Sequence, residues 1–219
     1  TPLYSSAASD VYKRQPFDFW RRKDLKKMSF FVIEGDNGTG KDTLALKLQK
    51  KYGFRIITNE EDIVQLNRDA KKYNGKQRVK KFLEYGAICS KKVRNSDQNS
   101  ILVRYWISTL AAAYADKIFT YEDVCKIQDE ICSGFYKPDG IICLSCDFEK
   151  RIDRIERRKS DDFDDITIER NQRYRWFLDK IQRRINIDWV NIDTSDKDAE
   201  HVFREVCKYL DEKEYDFER

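Results

Sequence analysis

Short apolar runs alternate with amphipathic helical patterns from residue 28 onward. Five apolar runs predict strands at about residues 30–34, 54–57, 101–103, 141–145 and 189–192. Periods near 3.6 residues predict helices between and after them, at about 41–52, 61–72, 76–94, 104–117, 120–133, 167–186 and 197–212. A further helix after the fourth strand is predicted to carry a basic face of Arg151, Arg154, Arg157 and Arg158. This order predicts an α/β fold with one parallel five-stranded sheet between two layers of helices.

The first predicted strand runs directly into a glycine-rich turn. Residues 30–43 read FFVIEGDNGTGKDT, and a helical pattern begins immediately afterwards. Glycine backbones reach angles that other residues avoid, so successive N–H groups can turn toward an anion at the start of a helix. The bland alternative is a glycine-rich turn with an exposed lysine, but the strand before the turn and the helix after it favour a phosphate-binding loop.

The residues of this loop are our candidates for binding a nucleotide triphosphate. They are Gly35, Asn37, Gly38, Thr39, Gly40, Lys41, Asp42 and Thr43. Lys41 supplies a mobile charge for the phosphates. Asp42 stands where the usual pattern has Ser or Thr, and Thr43 follows at once. We therefore predict that the Thr43 hydroxyl contacts Mg²⁺.

Other polar residues follow the remaining strands. Glu60 and Glu61 follow the second strand, and Arg104 and Tyr105 follow the third. Each has an ordinary explanation, such as an acid at a helix N-terminus or a surface cation. Because the carboxyl ends of parallel strands meet at one edge of a sheet, we expect these residues to converge on the phosphate loop.

The first 27 residues differ from the rest in charge and in sequence pattern. Residues 5–15, SSAASDVYKRQ, resemble a translated sequencing-library adapter, and Met28 is the sole methionine. Residues 1–27 hold seven Lys or Arg and three Asp or Glu, which accounts for the whole net charge of +4. We expect residues 1–27 to be a non-native leader, although residues 16–27 could instead be a basic, aromatic arm. The neutral remainder argues against nucleic-acid binding.

Composition excludes several other classes of protein. No apolar run approaches the length of a membrane span, which predicts no membrane association. Six cysteines are too few for a disulfide framework in a chain of 219 residues, so we expect a reducing, cytoplasmic location. Cys143 and Cys146 form a CxxC within a predicted strand, where small buried side chains are the simpler interpretation. His201 is the sole histidine and is predicted to lie on the surface.

Four segments together resemble the thymidylate kinase family. They are the loop at 30–43, RYWISTL at 104–110 with Tyr114, Pro138-Asp139 before the fourth strand, and RIER at 154–157 followed by the acidic residues 161–164. The resemblance spans nearly all of 28–219 and implies a single P-loop kinase domain with a small basic lid at about 154–166. It also implies ATP as phosphoryl donor and Mg²⁺ as cofactor.

The resemblance carries roles to individual positions. It implies that Arg104 contacts the transferring or acceptor phosphate, and that Arg154, Arg157 and Arg158 close over ATP as part of the lid. Phe82 is the best match to the family's base-stacking aromatic, and Tyr105 accompanies Arg104 in the substrate site. The acid that holds the sugar in the family aligns with Asn37, and in this chain Asp36 is the nearest acid.

Two departures weaken the match to a monophosphate acceptor. The aspartate of the family's DRY motif is Val103, and the arginine of its TREPG motif is Asn59. The sequence therefore predicts a nucleoside monophosphate kinase, with dTMP as the expected acceptor, and leaves two alternatives open. One is a deoxynucleoside kinase with Glu60 or Glu61 as base, and the other is a nucleotide-binding protein with impaired catalysis. Small-molecule nucleotides are the expected partners, and both a monomer and a homodimer remain open.

Overall fold

A computed structural model describes residues 28–157 and 167–213. Its sheet has five parallel strands, in the order β2-β3-β1-β4-β5. The strands are β1 (Phe30–Gly35), β2 (Arg55–Ile56), β3 (Ser100–Val103), β4 (Gly140–Ser145) and β5 (Asp188–Asp193). β1 lies at the centre, paired with β3 on one side and β4 on the other. The loops after β3 and β4 therefore lie on either side of the loop after β1.

Eight α-helices lie within the described residues. They are α1 (Lys41–Tyr52), α2 (Glu61–Lys71), α3 (Gly75–Arg94), α4 (Trp106–Ala115), α5 (Tyr121–Glu130), α6 (Phe148–Arg157), α7 (Ile168–Arg184) and α8 (Ala199–Glu212). Their bounds agree with the predicted helices to within a few residues. The predicted second strand is shorter than expected, because a 3₁₀ turn at Ile57–Asn59 follows β2 directly.

Alternation along β1 divides the core between the two faces of the sheet. Phe30 and Val32 pack on one face with residues of α3, α4 and α7. Phe31 and Ile33 pack on the other face with residues of α1 and α8. All four are at most 1% exposed, as expected for the central strand of a sheet that is covered on both sides. The predicted three-layer α/β arrangement is confirmed.

Some predictions fall outside the described residues. The leader at 1–27, Arg158 and the lid residues after Arg157 are among them. Within the described ranges, none of the helices is both long and apolar enough to cross a membrane. Cys143 and Cys146 are buried, and the described residues contain no group of three or more His, Cys, Asp or Glu side chains placed to hold a metal ion.

Candidate active site

The phosphate loop depends on glycine at two positions. Gly35 has φ of +133°, and a Cβ there would lie 2.2 Å from the carbonyl oxygen of Leu144 on β4. Gly38 has φ of +80°, and its Cβ would meet the side chain of Arg151 at 2.8 Å. Any larger residue would collide with backbone at the first position and with a buried side chain at the second. The glycines thus let the loop lie close against β4 and α6.

Lys41 is the first residue of α1 and is almost fully buried. Its Nζ donates to the backbone oxygen of Asp36 at 2.5 Å, so the ammonium is folded back over the loop. Burial lowers the pKa of Lys41 to about 7, and the neighbouring Arg104 cation lowers it too. An anion that binds beside Lys41 would therefore stabilise the charged form of its ammonium group.

Arg104 occupies the turn between β3 and α4 in a left-handed conformation, with φ of 69°. Its backbone N–H donates to the oxygen of Ile33 at 2.9 Å, and its guanidinium donates to Oδ1 of Asn37 on the phosphate loop. A non-glycine residue in this region costs of order 1–3 kcal/mol and persists where the surroundings impose it. The turn aims the guanidinium of Arg104 at the phosphate loop.

Glu34, the last side chain of β1, stabilises that turn by hydrogen bonds. Its carboxylate accepts the backbone N–H of Tyr105 at 3.0 Å and also the hydroxyl of Ser108. The side chain is 0% exposed, and burial raises the pKa of Glu34 to about 7 against the lowering effects of Ser108 and Arg104. The sequence analysis missed this residue, although an acid inside an apolar strand is a visible signal.

Arg151 corrects the predicted basic face of α6. Its side chain is not solvated, because the residue is 1% exposed and its guanidinium forms an ion pair with the carboxylate of Asp36. Burial alone would raise the pKa of Asp36, but Arg151 and then Arg104 hold that pKa below its ordinary value. The ion pair therefore links Asp36 to α6. Sequence periodicity did not indicate which arginine of α6 points inward.

Arg170, in the first turn of α7, reaches the same carboxylate. Its Nη1 lies 3.9 Å from Oδ1 of Asp36, and its Nε lies 2.5 Å from Oδ1 of Asp116, just after α4. The side chain is 11% exposed. The sequence analysis did not single out Arg170, because it is one of several basic residues in a polar helical pattern.

A cavity of about 350 Å³ opens beside the phosphate loop and collects most of the predicted residues. Its lining includes the predicted residues Asp36, Asn37, Gly38, Gly40, Lys41, Asp42, Phe82, Arg104 and Tyr105. It also includes residues that the sequence analysis did not name, among them Asn67, Lys71, Arg78, Asp116, Arg170 and Tyr174. We call this space the acceptor-side cavity.

The sequence profile of the thymidylate kinase family matches residues 33–206. This chain belongs to the thymidylate kinase family. It is accordingly a nucleotide phosphotransferase of the P-loop kinase type, and the family uses ATP as phosphoryl donor. No curated protein matched the sequence.

Solved structures of nucleotide and nucleoside kinases share the fold. The thymidylate kinase from Candida albicans aligns with a TM-score of 0.64 and 19% identity, over 85% of this chain and 92% of that one. The deoxyadenosine kinase from M. mycoides with bound dATP aligns with a TM-score of 0.62 and 17% identity, over 83% of this chain and 99% of that one. At these identities the likeness establishes the architecture alone.

Glu60 and Glu61 are not among the residues that line the acceptor-side cavity. The Glu60 carboxylate lies 2.8 Å from Nη2 of Arg55 and 2.7 Å from Nζ of Lys92, so each of its oxygens faces a cation. Glu61 is an exposed residue in the first turn of α2. The neighbouring residues Thr58 and Asn59 do line the cavity.

A second cavity, of about 270 Å³, also adjoins the phosphate loop. Its lining includes Thr39, Gly40, Thr43, Arg154 and Thr194. Arg154 donates to the hydroxyl of Thr194 at 3.0 Å and to its backbone oxygen at 2.6 Å. We call this space the donor-side cavity.

Of the two predicted lid arginines that the structure describes, Arg157 is the exposed one. Its guanidinium pairs with Asp153 one turn earlier on α6, and its side chain is 77% exposed. Arg154 and Arg157 thus differ in environment, because Arg154 lines the donor-side cavity and Arg157 lies in solvent.

The loop offers oxygen ligands of the kind that Mg²⁺ prefers. Thr43 lines the donor-side cavity and Asp42 lines the acceptor-side cavity, so a hydroxyl and a carboxylate both lie in the first turn of α1. Magnesium is usually bound by one or two protein oxygens together with substrate phosphates and water. The donor set therefore fits Mg²⁺ held mainly by a bound triphosphate.

Proposed function

We propose that the protein transfers the γ-phosphoryl group of ATP to thymidylate, giving dTDP. The observation that carries the proposal is the acceptor-side cavity, which is lined by both Lys41 and Arg104. Phosphoryl transfer depends mainly on positioning the two substrates and neutralising the charge on the transferring group. Two cations at the junction of the phosphate loop and the acceptor cavity meet both needs.

A monophosphate acceptor suits this cavity better than a free nucleoside. The attacking oxygen of a monophosphate is already largely ionised near pH 7, so it needs no general base, whereas a 5′-hydroxyl does. Glu60 was our candidate base, and its two oxygens are held by Arg55 and Lys92 outside the cavity lining. Arg104 instead supplies a donor of the kind that binds phosphate.

Three further residues of the cavity lining support a base that carries carbonyl oxygens. Phe82 lines the cavity, and the guanidinium carbon of Arg78 lies 5.7 Å from the centre of the Phe82 ring. Lys71 and Arg78 line the same cavity. Arg and Lys are donors only, so they match the carbonyl groups of thymine and oppose the exocyclic amine of adenine.

The donor nucleotide is assigned to the donor-side cavity. Loop N–H groups and Lys41 would bind its phosphates, Arg154 would lie against its base or sugar, and the Thr43 hydroxyl would contact Mg²⁺. The metal, when bound, neutralises charge on the β and γ phosphates. Arg157 and Arg158 are proposed to approach the phosphates from the lid, and residues 28–219 to form the kinase domain.

The likeness to deoxyadenosine kinase keeps a nucleoside kinase as the second candidate function. A coupled assay of ADP release with Mg²⁺ and ATP, run over dTMP, dUMP, dGMP, dAMP, thymidine and deoxyadenosine, separates the candidates. We expect the highest kcat/KM with dTMP. Faster turnover of thymidine or deoxyadenosine would favour the nucleoside kinase, and ATP binding without any turnover would favour an impaired nucleotide-binding protein.

Two substitutions sharpen this assay. Arg104→Gln should lower kcat/KM for dTMP far more than for thymidine, because it removes a phosphate contact. Glu60→Gln should leave the kcat with dTMP within about twofold, because the Glu60 carboxylate lies outside the cavity lining. If Glu60→Gln or Glu61→Gln is more damaging than Arg104→Gln, the nucleoside kinase explains the protein better.

A further inference from the structure

Glu34 links the end of β1 to the start of α4 by two hydrogen bonds. Its Oε1 accepts the backbone N–H of Tyr105 at 3.0 Å, and its other carboxylate oxygen accepts the hydroxyl of Ser108. Tyr105 directly precedes the first turn of α4, and Ser108 lies in that turn. In many helices a glutamate of the helix's own first turn accepts the N–H that Glu34 accepts here, and the helix dipole favours a negative charge at this end. A carboxylate from the neighbouring strand therefore caps α4.

Arg104 lies directly before the bond to Tyr105, in a strained backbone conformation. Its φ of 69° is in the left-handed region, which a residue with a Cβ adopts only where its surroundings impose it. Its own N–H donates to the oxygen of Ile33 at 2.9 Å, and the next N–H along the chain is the one that Glu34 accepts. Two consecutive residues of β1 thus hold the peptide groups on either side of Arg104.

The direction of the Arg104 side chain depends on the second of these bonds. Rotation about the N–Cα bond moves the Cβ of Arg104 and the following peptide group together, so one angle sets both the side chain's direction and the position of the Tyr105 N–H. The guanidinium so directed donates to Oδ1 of Asn37 and lines the acceptor-side cavity together with Lys41. Loss of the bond to Glu34 would let the backbone relax toward unstrained angles and carry the guanidinium with it.

Glu34 itself does not reach the acceptor-side cavity. The residue is 0% exposed, and the described residues that line the cavity do not include it. We propose that Glu34 is a positioning residue, which orients the guanidinium of Arg104 toward the phosphate of the acceptor through the backbone of Arg104 and Tyr105. This inference rests on the proposed monophosphate acceptor. A misplacement of about 1 Å can cost on the order of a hundredfold in rate, so loss of Glu34 should impair the reaction without removing a contact to substrate.

Asp139 provides a matched control at the other end of β1. Its Oδ2 accepts the backbone N–H of Phe30, the first residue of the strand, at 2.9 Å. A bond from a backbone N–H to a carboxylate therefore lies at each end of β1. The described residues that line the acceptor-side cavity do not include Asp139. Asp139→Leu removes such a bond at the opposite end of the strand from the phosphate loop, so it measures the effect of lost stability alone.

The test is a double-mutant cycle of steady-state kinetics on the full-length protein, with dTMP and ATP as substrates. Glu34→Met removes both hydrogen bonds at nearly constant side-chain length. It should lower kcat/KM for dTMP about tenfold or more, with the KM for ATP unchanged within about twofold. Glu34→Gln should recover most of the loss, because the amide can accept the Tyr105 N–H and donate to Ser108. In an Arg104→Gln background, Glu34→Met should lower kcat/KM by less than a further twofold or so, and Asp139→Leu should stay within about twofold of its parent in both backgrounds.

Ser108→Ala is a milder variant for the case in which thermal unfolding shows that Glu34→Met does not fold. It removes one of the two contacts of Glu34 and should give a smaller loss of kcat/KM for dTMP. This loss should also disappear in the Arg104→Gln background. An unchanged kcat/KM in Ser108→Ala, or a loss that multiplies with that of Arg104→Gln, would contradict the inference.

Several results would overturn the inference while the proposed function stands. A kcat/KM for dTMP in Glu34→Met equal to that of the wild type would show that Arg104 is held without Glu34. Losses that multiply in the double variant would show that Glu34 acts other than through Arg104. An equal rise in the KM for ATP would mean that the whole phosphate loop is disturbed, and a loss in Glu34→Gln as large as in Glu34→Met would exclude the hydrogen bonds as the cause. A wild-type protein that phosphorylates thymidine but not dTMP would instead refute the proposed function, and this inference with it.

Discussion

Arg151 of α6 forms a buried ion pair with Asp36 of the phosphate loop. The two residues are 1% and 7% exposed. The backbone of Arg151 also lies directly against Gly38, where an added Cβ would be 3.0 Å from its oxygen. The pair therefore fixes the phosphate loop to the helix that carries Arg154 and Arg157. It also keeps the Asp36 carboxylate charged in a place where burial opposes that charge.

Breaking this pair from one side should destabilise the protein strongly. Arg151→Met is expected to lower the free energy of unfolding by about 3–5 kcal/mol, because it leaves a buried carboxylate without its main partner. The neighbouring Lys150 pairs with Asp196 on the surface, where the two side chains are 44% and 85% exposed. Lys150→Met should have a much smaller effect on stability, because solvent screens an exposed ion pair. Urea denaturation measures both.

A double variant separates the charge effect from lost packing. Asp36→Asn with Arg151→Met should be more stable than the sum of the two single losses predicts, since the unpaired charge is gone. Additive losses would show that the two side chains do not interact energetically.

Glu34 should make stability fall as the pH rises toward neutrality. Its pKa is raised to about 7 by burial, above the ordinary value of 4.5. The protonated carboxyl therefore favours the folded state, and this contribution is fully present below about pH 4.5 and lost as the pH rises through 7. The difference amounts to about 3 kcal/mol at most.

Glu34→Gln tests this, because the amide can still accept the Tyr105 N–H and reach the Ser108 hydroxyl. Thermal or urea unfolding at pH 5 and pH 8 should show the wild type losing more stability than Glu34→Gln across that interval. A parallel pH profile for the two proteins would show that Glu34 does not titrate there.

Lys41 and Thr43 should control turnover and metal dependence respectively. Lys41→Ala is expected to reduce kcat at least about a hundredfold, because it removes a charge aimed at the transferring group. Thr43→Ala should raise the Mg²⁺ concentration needed for half-maximal rate, and Asp42→Ser should be tolerated. Magnesium titrations of initial rate at saturating ATP measure these effects. A raised Mg²⁺ requirement in Asp42→Ser but not in Thr43→Ala would make the carboxylate on the acceptor side the metal ligand.

Asn59→Arg should improve binding of a monophosphate acceptor. Asn59 is exposed and lines the acceptor-side cavity, so a longer cationic side chain can reach a bound phosphate. A charge-assisted contact of this kind is worth about tenfold or more in acceptor KM. Asn59→Gln is the uncharged control and should leave the KM for dTMP unchanged. Asn59→Arg should likewise leave the KM for thymidine unchanged. An unaltered KM for dTMP in Asn59→Arg would place the acceptor phosphate away from β2.

The sequence was sufficient for the fold and for the centre of the site. A strand, three glycines, Lys41 and a helix follow one another within residues 30–52, so this motif can be recognised from consecutive residues. Alternating strands and helices then dictate a parallel sheet, which brings Arg104 after β3 to the loop after β1. Periodicity and topology are properties of neighbouring residues, so they can be recognised without coordinates.

Only the tertiary structure decided which charged side chains belong to the site. Arg151 and Arg170 lie far along the chain from Asp36, on helices whose patterns contain other arginines that remain in solvent or pair elsewhere. Glu60 follows the same strand as Asn59, yet its carboxylate pairs with Arg55 of β2 and Lys92 of α3 and does not line the cavity. The partner of a charged side chain depends on how separate helices pack against one loop, and that packing is set by contacts distant in sequence.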